Sequence, residues 1–321
     1  MALSSPRTER LLAAVSRVAG RDGSVDGLRN EVAQLKLQIG RAEARVVRAL
    51  PPGSIRDAEF KVFSQFGEDG IIQHLLAYVP VPEESEMFVE IGTGDYTESN
   101  TRFLLWKDNW RGVIVDSAPA HAAHLEASEA RWRHDIEPVT AFVDRDNIDS
   151  LLRGAGAEGD IGLLSLDVDG NDVWVLERLS SVSPRVLVVE YNSTFGPDAA
   201  ISVPYDPGFR RDHAHWSHLY WGASLAAFAH VADAKGYDLV GGNKAGNNAF
   251  FVRRDVRGDI PVQTVAEAYA PSRFRESRDR EGNLSLIGPH HERLALIADL
   301  PVVDMRSGET DTIAQATGRE R

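Results

Sequence analysis

The sequence predicts an α/β chain: a doubly wound, mostly parallel seven-stranded sheet with a terminal antiparallel hairpin, preceded by a helical or coiled-coil segment. Three observations predict it. Five short β-rich runs, MFVEIG, GVIVDS, VTAFVD, IGLLSLDVD and RVLVVEYN, follow one another from Met87 to Asn192. Each of the first four is followed by residues with helical spacing, such as AHAAHLEASEARW or NDVWVLERL, and near-continuous apolar strands alternating with helices signify a parallel sheet covered on both faces. The last two runs, YDLVGG and AFFVRR, are separated only by NKAGNN, which suits a hairpin containing one reversed strand.

Taken in order, residues 1–52 form a unit of their own. Val25, Val32, Ile39 and Val46 recur every seven positions, and Leu28, Leu35, Ala42 and Ala49 fall three residues after each. β-branched residues at one core position and leucine at the other favour a parallel two-stranded coiled coil and hence a homo-oligomer. Gly40 and the two alanines weaken that seam, and the same pattern also fits an amphipathic helix lying on its own domain. RDGSVDG before and LPPGS after are breakers that bound the segment.

Residues 53–255 hold the alternating elements. Between Tyr191 and Trp221 they include about thirty residues with little periodicity, and a loop this long in a compact domain is typically a functional lid. That lid spans about 193–221. Residues 256–306 read as a C-terminal helical extension, VAEAYAPSRFRESRDREGN, closing on LPVVDM, and residues 307–321 as a frayed polar tail.

Composition narrows the function classes. The 321 residues are 43% apolar and 26% charged, as in globular chains, and the net charge is −13. That charge argues against a nucleic-acid partner, whose phosphates demand a basic face. With no cysteine, thiolate zinc sites, iron–sulfur clusters, disulfides and cysteine nucleophiles are excluded. The early apolar run LLAAV is too short for a signal segment and no eighteen apolar residues run together, so the expectation is a cytoplasmic protein without a membrane span.

Chemistry concentrates at the predicted strand ends. In VEIGTGDYTESN, Gly92 and Gly94 permit a tight turn and close approach of a ligand, while Thr97 stands where a dinucleotide fingerprint has its third glycine. Asp116 ends the next strand at the spacing of a ribose-binding acid, and Asp144 ends a third. SLDVDGNDVWVLE places Asp167, Asp169 and Asp172 within six positions. Ligands of open sheets bind beyond the carboxyl ends of the strands, so Asp167 and Asp169 should face Glu190 and Asn192 there. Hard oxygen donors of this kind suit Mg²⁺ or Ca²⁺. Asp172 belongs to the following helix start, where carboxylates are stabilised, and Asp169 stands between the two readings. The lid's RRDHAHWSHLYW offers His213, His215 and His218 as a general base, as zinc ligands with nearby carboxylates, or as packing groups. SRFRESRDREGN could grip an anion or form a charged helix face, and Asn247 and Asn248 serve either the cleft or their own turn.

The order VEIGTG, VIVDS, FVD, LLSLDVDGND, VLVVEYN resembles class I S-adenosylmethionine-dependent methyltransferases. SQFGEDGI, DVDGND and VVEYN together resemble the FkbM-like bacterial methyltransferases found with glycan biosynthesis, over roughly residues 60–255. The resemblance implies a Rossmann-like fold and S-adenosylmethionine as cofactor. It assigns Glu90, Gly92 and Gly94 to the methionine part, Asp116 to the ribose and Asp144 to adenine, with Gln65 and Glu68 closing from the N-terminal side. It further implies O-methylation of a sugar or glycan hydroxyl, aided by a divalent cation at Asp167 and Glu190. Such a hydroxyl is a weak acid and needs a base, for which His215 and then His213 are the candidates, or Lewis-acid help. Tyr205, Trp216, Tyr220 and Trp221 offer faces for a sugar ring. A nicotinamide-dependent oxidoreductase and a non-catalytic cofactor-binding scaffold are the competing readings.

Overall fold

The computed structural model describes the backbone of residues 6–318 and side chains from residue 27 onward, so the Val25 side chain lies outside the described residues. A single helix, α1 (Pro6–Val47), opens the chain. It runs through RDGSVDG without a break, contrary to the expected boundary there: a glycine inside a helix costs only about 1 kcal/mol, which neighbouring turns can absorb. LPPGS does end it.

Ten strands follow among the described residues: β1 (Met87–Ile91), β2 (Arg111–Asp116), β3 (Ile136–Thr140), β4 (Gly159–Leu166), β5 (Val182–Glu190), β6 (Ile201–Ser202), β7 (Tyr237–Gly242), β8 (Asn248–Arg253), β9 (Pro301–Asp304) and β10 (Thr310–Thr312). Seven make the main sheet, in the order β3-β2-β1-β4-β5-β8-β7. All are parallel except β8, which runs antiparallel to both neighbours. The Rossmann-like sheet expected from the sequence is therefore present, with its reversed strand one place in from the edge.

Both faces of this sheet are covered. Val89, Val113, Leu164, Leu187 and Phe251 face one apolar core, and Phe88, Ile114, Leu163, Val188 and Phe250 the other. The alternation is that of strands buried on both sides, and each such side chain, fully withdrawn from water, contributes about 1.5–3 kcal/mol. The strand order reverses between β1 and β4, which opens a crevice at their carboxyl ends.

Two segments differ from expectation. The VTAFVD strand is shifted toward its N-terminus, to Ile136–Thr140, leaving Asp144 in the following turn. The supposed tail carries regular structure among its described residues, 307–318. β9 pairs with β6 inside the long connection and with β10, and a short capped helix, Ile313–Ala316, follows. Ile201, Val203, Leu219, Val302 and Ile313 form the small core that pays for this second sheet. In the C-terminal extension, helix is confined to Val265–Ala268 and His290–Ile297 among the described residues, and SRFRESRDREGN is irregular. No helix among the described residues is long and apolar enough to cross a membrane.

Candidate active site

The crevice at the carboxyl ends of β1, β2 and β4 is a cavity of about 290 Å³, near the lower end of small-molecule sites. Its lining includes Gly92, Gly94, Asp116, Phe142, Asp167 and Asp169. Gly92 is where β1 leaves the sheet. Its φ is +83°, and a Cβ there would stand 1.5 Å from the Asp167 carbonyl oxygen, so only glycine brings these two strand ends together. Asp116 then fixes the loop: its carboxylate accepts from the Gly94 and Ala118 amides, each at 2.7 Å.

Glu90 lies two residues before Gly92 and holds the loop that follows. Its carboxylate accepts from the Ser99 and Thr101 hydroxyls and from the Asn100 and Thr101 amides. Burial raises its pKa, and those donors work against the rise. Glu90 thus shapes the Gly92–Gly94 loop, and Glu68 plays a comparable part on the other side. One Glu68 oxygen accepts from the Phe66 and Gly67 amides, the other from the Asn243 and Asn248 side chains. Gln65 is exposed. Asp144 accepts from the Asp146 and Asn147 amides and organises the turn before the helix Ile148–Gly154. In its place at the cavity stands Phe142, 46% exposed.

The acidic cluster forms where β4 and β5 end together. Asp167, Asp169 and Glu190 each offer a carboxylate oxygen, all within 4.8 Å of one another. Like charges this close cannot all ionise without a counter-charge. Burial, then the Glu190 charge, drives the Asp167 pKa well above its ordinary value. Burial and Asp169 raise Glu190 to about 8, against the pull of Arg211. Asp172 is set apart. Its two oxygens accept from the Val168 and Gly170 amides and pin the DVDG turn, and burial lifts its pKa to about 6. Asn192 is turned to other work as well: its amide donates to the Leu219 and Trp221 carbonyls and its oxygen accepts from the Thr194 amide.

The long connection closes over this cluster. Asn171 donates to the Asp206 carbonyl at 2.7 Å and Trp174 to that of Val203 at 2.9 Å. Phe209 packs on Gly170, where a Cβ would approach its ring to 2.1 Å. Arg211 bonds Asp169 at 3.0 Å and stacks on Trp221 at 4.6 Å. Arg211 and Phe142 do not stand out in the sequence, because histidines dominate RRDHAHW and the acid dominates AFVD. An unpaired apolar ring at a strand end and an arginine opposite three carboxylates were the available signals. His215 bonds the Ser217 hydroxyl at 2.7 Å, and burial followed by the Arg280 charge lowers its pKa below the ordinary imidazole range. His213 is 71% exposed and lies 3.8 Å from Asp212.

No family model and no curated protein matches this sequence. Among solved structures, an O-methyltransferase family protein from Burkholderia thailandensis is similar at 14% identity, with a TM-score of 0.33, covering 70% of this chain and 59% of its own. An O-methyltransferase family 2 protein from Planctomyces limnophilus, in complex with apigenin, matches at 14% identity and a TM-score of 0.34, over 57% of this chain and 58% of its own. An O-methyltransferase of neocarzinostatin biosynthesis, in complex with S-adenosyl-L-homocysteine and 1,4-dihydroxy-2-naphthoic acid, matches at 17% and 0.31, over 58% and 56%. The chain thus spans somewhat over half the length of each, and likeness of this degree says nothing of its own activity.

Proposed function

We propose that the chain is an S-adenosylmethionine-dependent O-methyltransferase acting on a sugar or glycan hydroxyl, with a divalent cation at Asp167, Asp169 and Glu190. The observation that carries this reading is the adjacency of two sites at one sheet edge. A cavity floored by Gly92, Gly94 and Asp116 abuts three mutually repelling carboxylates through Asp167 and Asp169, which line both.

The residues fit both groups. Asp116 keeps acceptor capacity beyond its two amide bonds and can take ribose hydroxyls, while Phe142 offers a flat face to adenine. S-adenosylmethionine supplies an electrophilic methyl group on a sulfonium. The carboxylate trio consists of hard oxygen donors that would hold a divalent cation such as Mg²⁺ or Ca²⁺, which would relieve their repulsion and supply Lewis-acid help to an acceptor hydroxyl. Around them the chain's own groups orient the acceptor. Arg211, bonded to Asp169 and stacked on Trp221, bounds the carboxylates on one side, and His215 on the same connection, its ring held by Ser217, is the candidate to take the hydroxyl proton. The reversed strand β8 and Thr97 at the third glycine position favour methyl transfer over nicotinamide chemistry.

The test is calorimetric titration of the purified protein with S-adenosylmethionine and, separately, Mg²⁺. Both should bind. Asp167→Ala and Glu190→Gln should abolish the Mg²⁺ heat, and Glu190→Gln, which lies outside the cavity lining, should leave cofactor binding within a fewfold. Absence of S-adenosylmethionine binding would end the enzyme reading, while Mg²⁺ binding unchanged in both variants would end the metal reading alone. Methyl transfer to a panel of sugar hydroxyls, with phenols as the control acceptors, then distinguishes the acceptor class.

A further inference from the structure

We propose that two copies of this chain pair in parallel through the outward face of α1, leaving their sheet domains on opposite sides of a two-stranded coiled coil. The face is defined by Leu28, Val32, Leu35, Ile39 and Val46, which are between 54% and 61% exposed although all are large and apolar. Isolated exposed apolar residues need no explanation, but five on one helical seam do.

The helix cannot hide this seam on its own domain, because its other face is already engaged. Gly40, Ala44 and Val47 are buried, and Ala44 packs with Val62, Phe103 and the half-buried Leu37. At 3.6 residues per turn the centres of the two faces lie about 130° apart around the axis. Polar bonds lock this rotation. Arg41 donates to the Trp106 carbonyl at 3.2 Å, the His74 ring bonds the Val47 carbonyl at 2.9 Å, and the Tyr78 hydroxyl donates to the Leu50 carbonyl. Rolling α1 to bury the seam would break all of them.

The seam's chemistry selects a second copy as occupant. Val32, Ile39 and Val46 stand at one core position of the heptad and Leu28 and Leu35 at the other, the arrangement that favours two parallel strands over higher orders. Flanking it, Glu31 on one copy faces Lys36 of the other, five residues on, and symmetry makes the pair twice. Parallel pairing also meets the steric requirement, since the docking faces point away from each other.

Sedimentation of the full-length protein tests this, with Leu35→Asp/Ile39→Asp as the disrupting variant. The natural chain should sediment with the mass of two chains and the variant with that of one, at unchanged far-ultraviolet circular dichroism. Because the chain has no cysteine, Ile39→Cys supplies a second arm. Mild oxidation should link two copies nearly completely, since equivalent residues meet only in a parallel, in-register pair. A monomer at every concentration, a dimer that survives the aspartates, or a dimer that Ile39→Cys does not cross-link would each overturn the proposal. Should the double variant fail to fold, the cross-link decides.

Discussion

Glu190 sits at the end of β5 with a carboxyl group whose pKa is lifted to about 8 by burial and by Asp169. A raised acid pKa has a definite sign: the stability it confers is complete below its ordinary value of 4.5 and is lost as pH rises through about 8. Without a divalent cation, thermal stability should therefore decline from about pH 5 to 9. Added Mg²⁺ should oppose the decline, by about 2.7 kcal/mol at one hundred times its dissociation constant. Cation affinity should tighten over the same range, because binding expels the proton; melting curves in chelator and in Mg²⁺ check both, and identical curves would refute the site. Asp116 calls for a separate measurement. Asp116→Ala removes a charged acceptor worth about 1.5–3 kcal/mol, so S-adenosylmethionine should bind roughly ten- to a hundredfold more weakly while Mg²⁺ binding is retained. At this scale the sequence was most legible where a residue type has one use, as for the Gly92 turn and the pairing of Asp167 with Glu190. It was ambiguous where an acid has two. Glu68, Glu90 and Asp144 are acidic at motif positions, yet their oxygens hold backbone and side-chain donors of the surrounding loops.

Among the elements, the two strand-end turns respond differently to the same small substitution. Gly92→Ala drives a methyl group into a backbone carbonyl at a left-handed φ, with no flexible neighbour to yield. It should cost at least the roughly 1–3 kcal/mol of an overpacked site and abolish cofactor binding, as read by urea unfolding and calorimetry. Gly170→Ala instead pushes on the Phe209 ring. Here the fold should persist, the connection over the cleft should be cut faster by protease near Phe209, and cofactor affinity should fall severalfold. Identical cleavage in both proteins would show that Phe209 does not hold this segment down. Element type was readable from apolar alternation, but the edges of β3 were not. VTAFVD carries a strand's composition beyond the point where β3 stops pairing, because Asn147 and Asp144 draw the chain into a capping turn.

At the level of the whole molecule, the C-terminal residues close the structure over its own long connection. Removing everything after Asp299 would strip β9 and β10 and uncover Ile201, Val203 and Leu219. Hydrogen exchange should then rise across residues 195–221 while β4 and β5 stay protected and cofactor binding survives; protection unchanged in the connection would refute this anchoring. Short strands with scattered glycines between them gave no periodic signal for that pairing, since β10 is a three-residue edge strand and the four-residue β9 at the centre of the sheet finds its other partner, β6, about a hundred residues away. The reversal of β8 has a consequence of its own for the charge balance of the cleft. In a sheet with only parallel strands, the neighbour of β5 would lead into a helix, and the positive end of that helix would face Glu190. Because β8 runs the other way, a hairpin turn stands there instead, and it presents the neutral amides of Asn243, Asn247 and Asn248. Glu190 gains a 3.5 Å contact from Asn247 but no dipole to hold its charge. The topology thereby leaves the carboxylates electrically unsettled on that side, and the sole cation bonded to the trio among the described residues, Arg211, belongs to the segment that covers them.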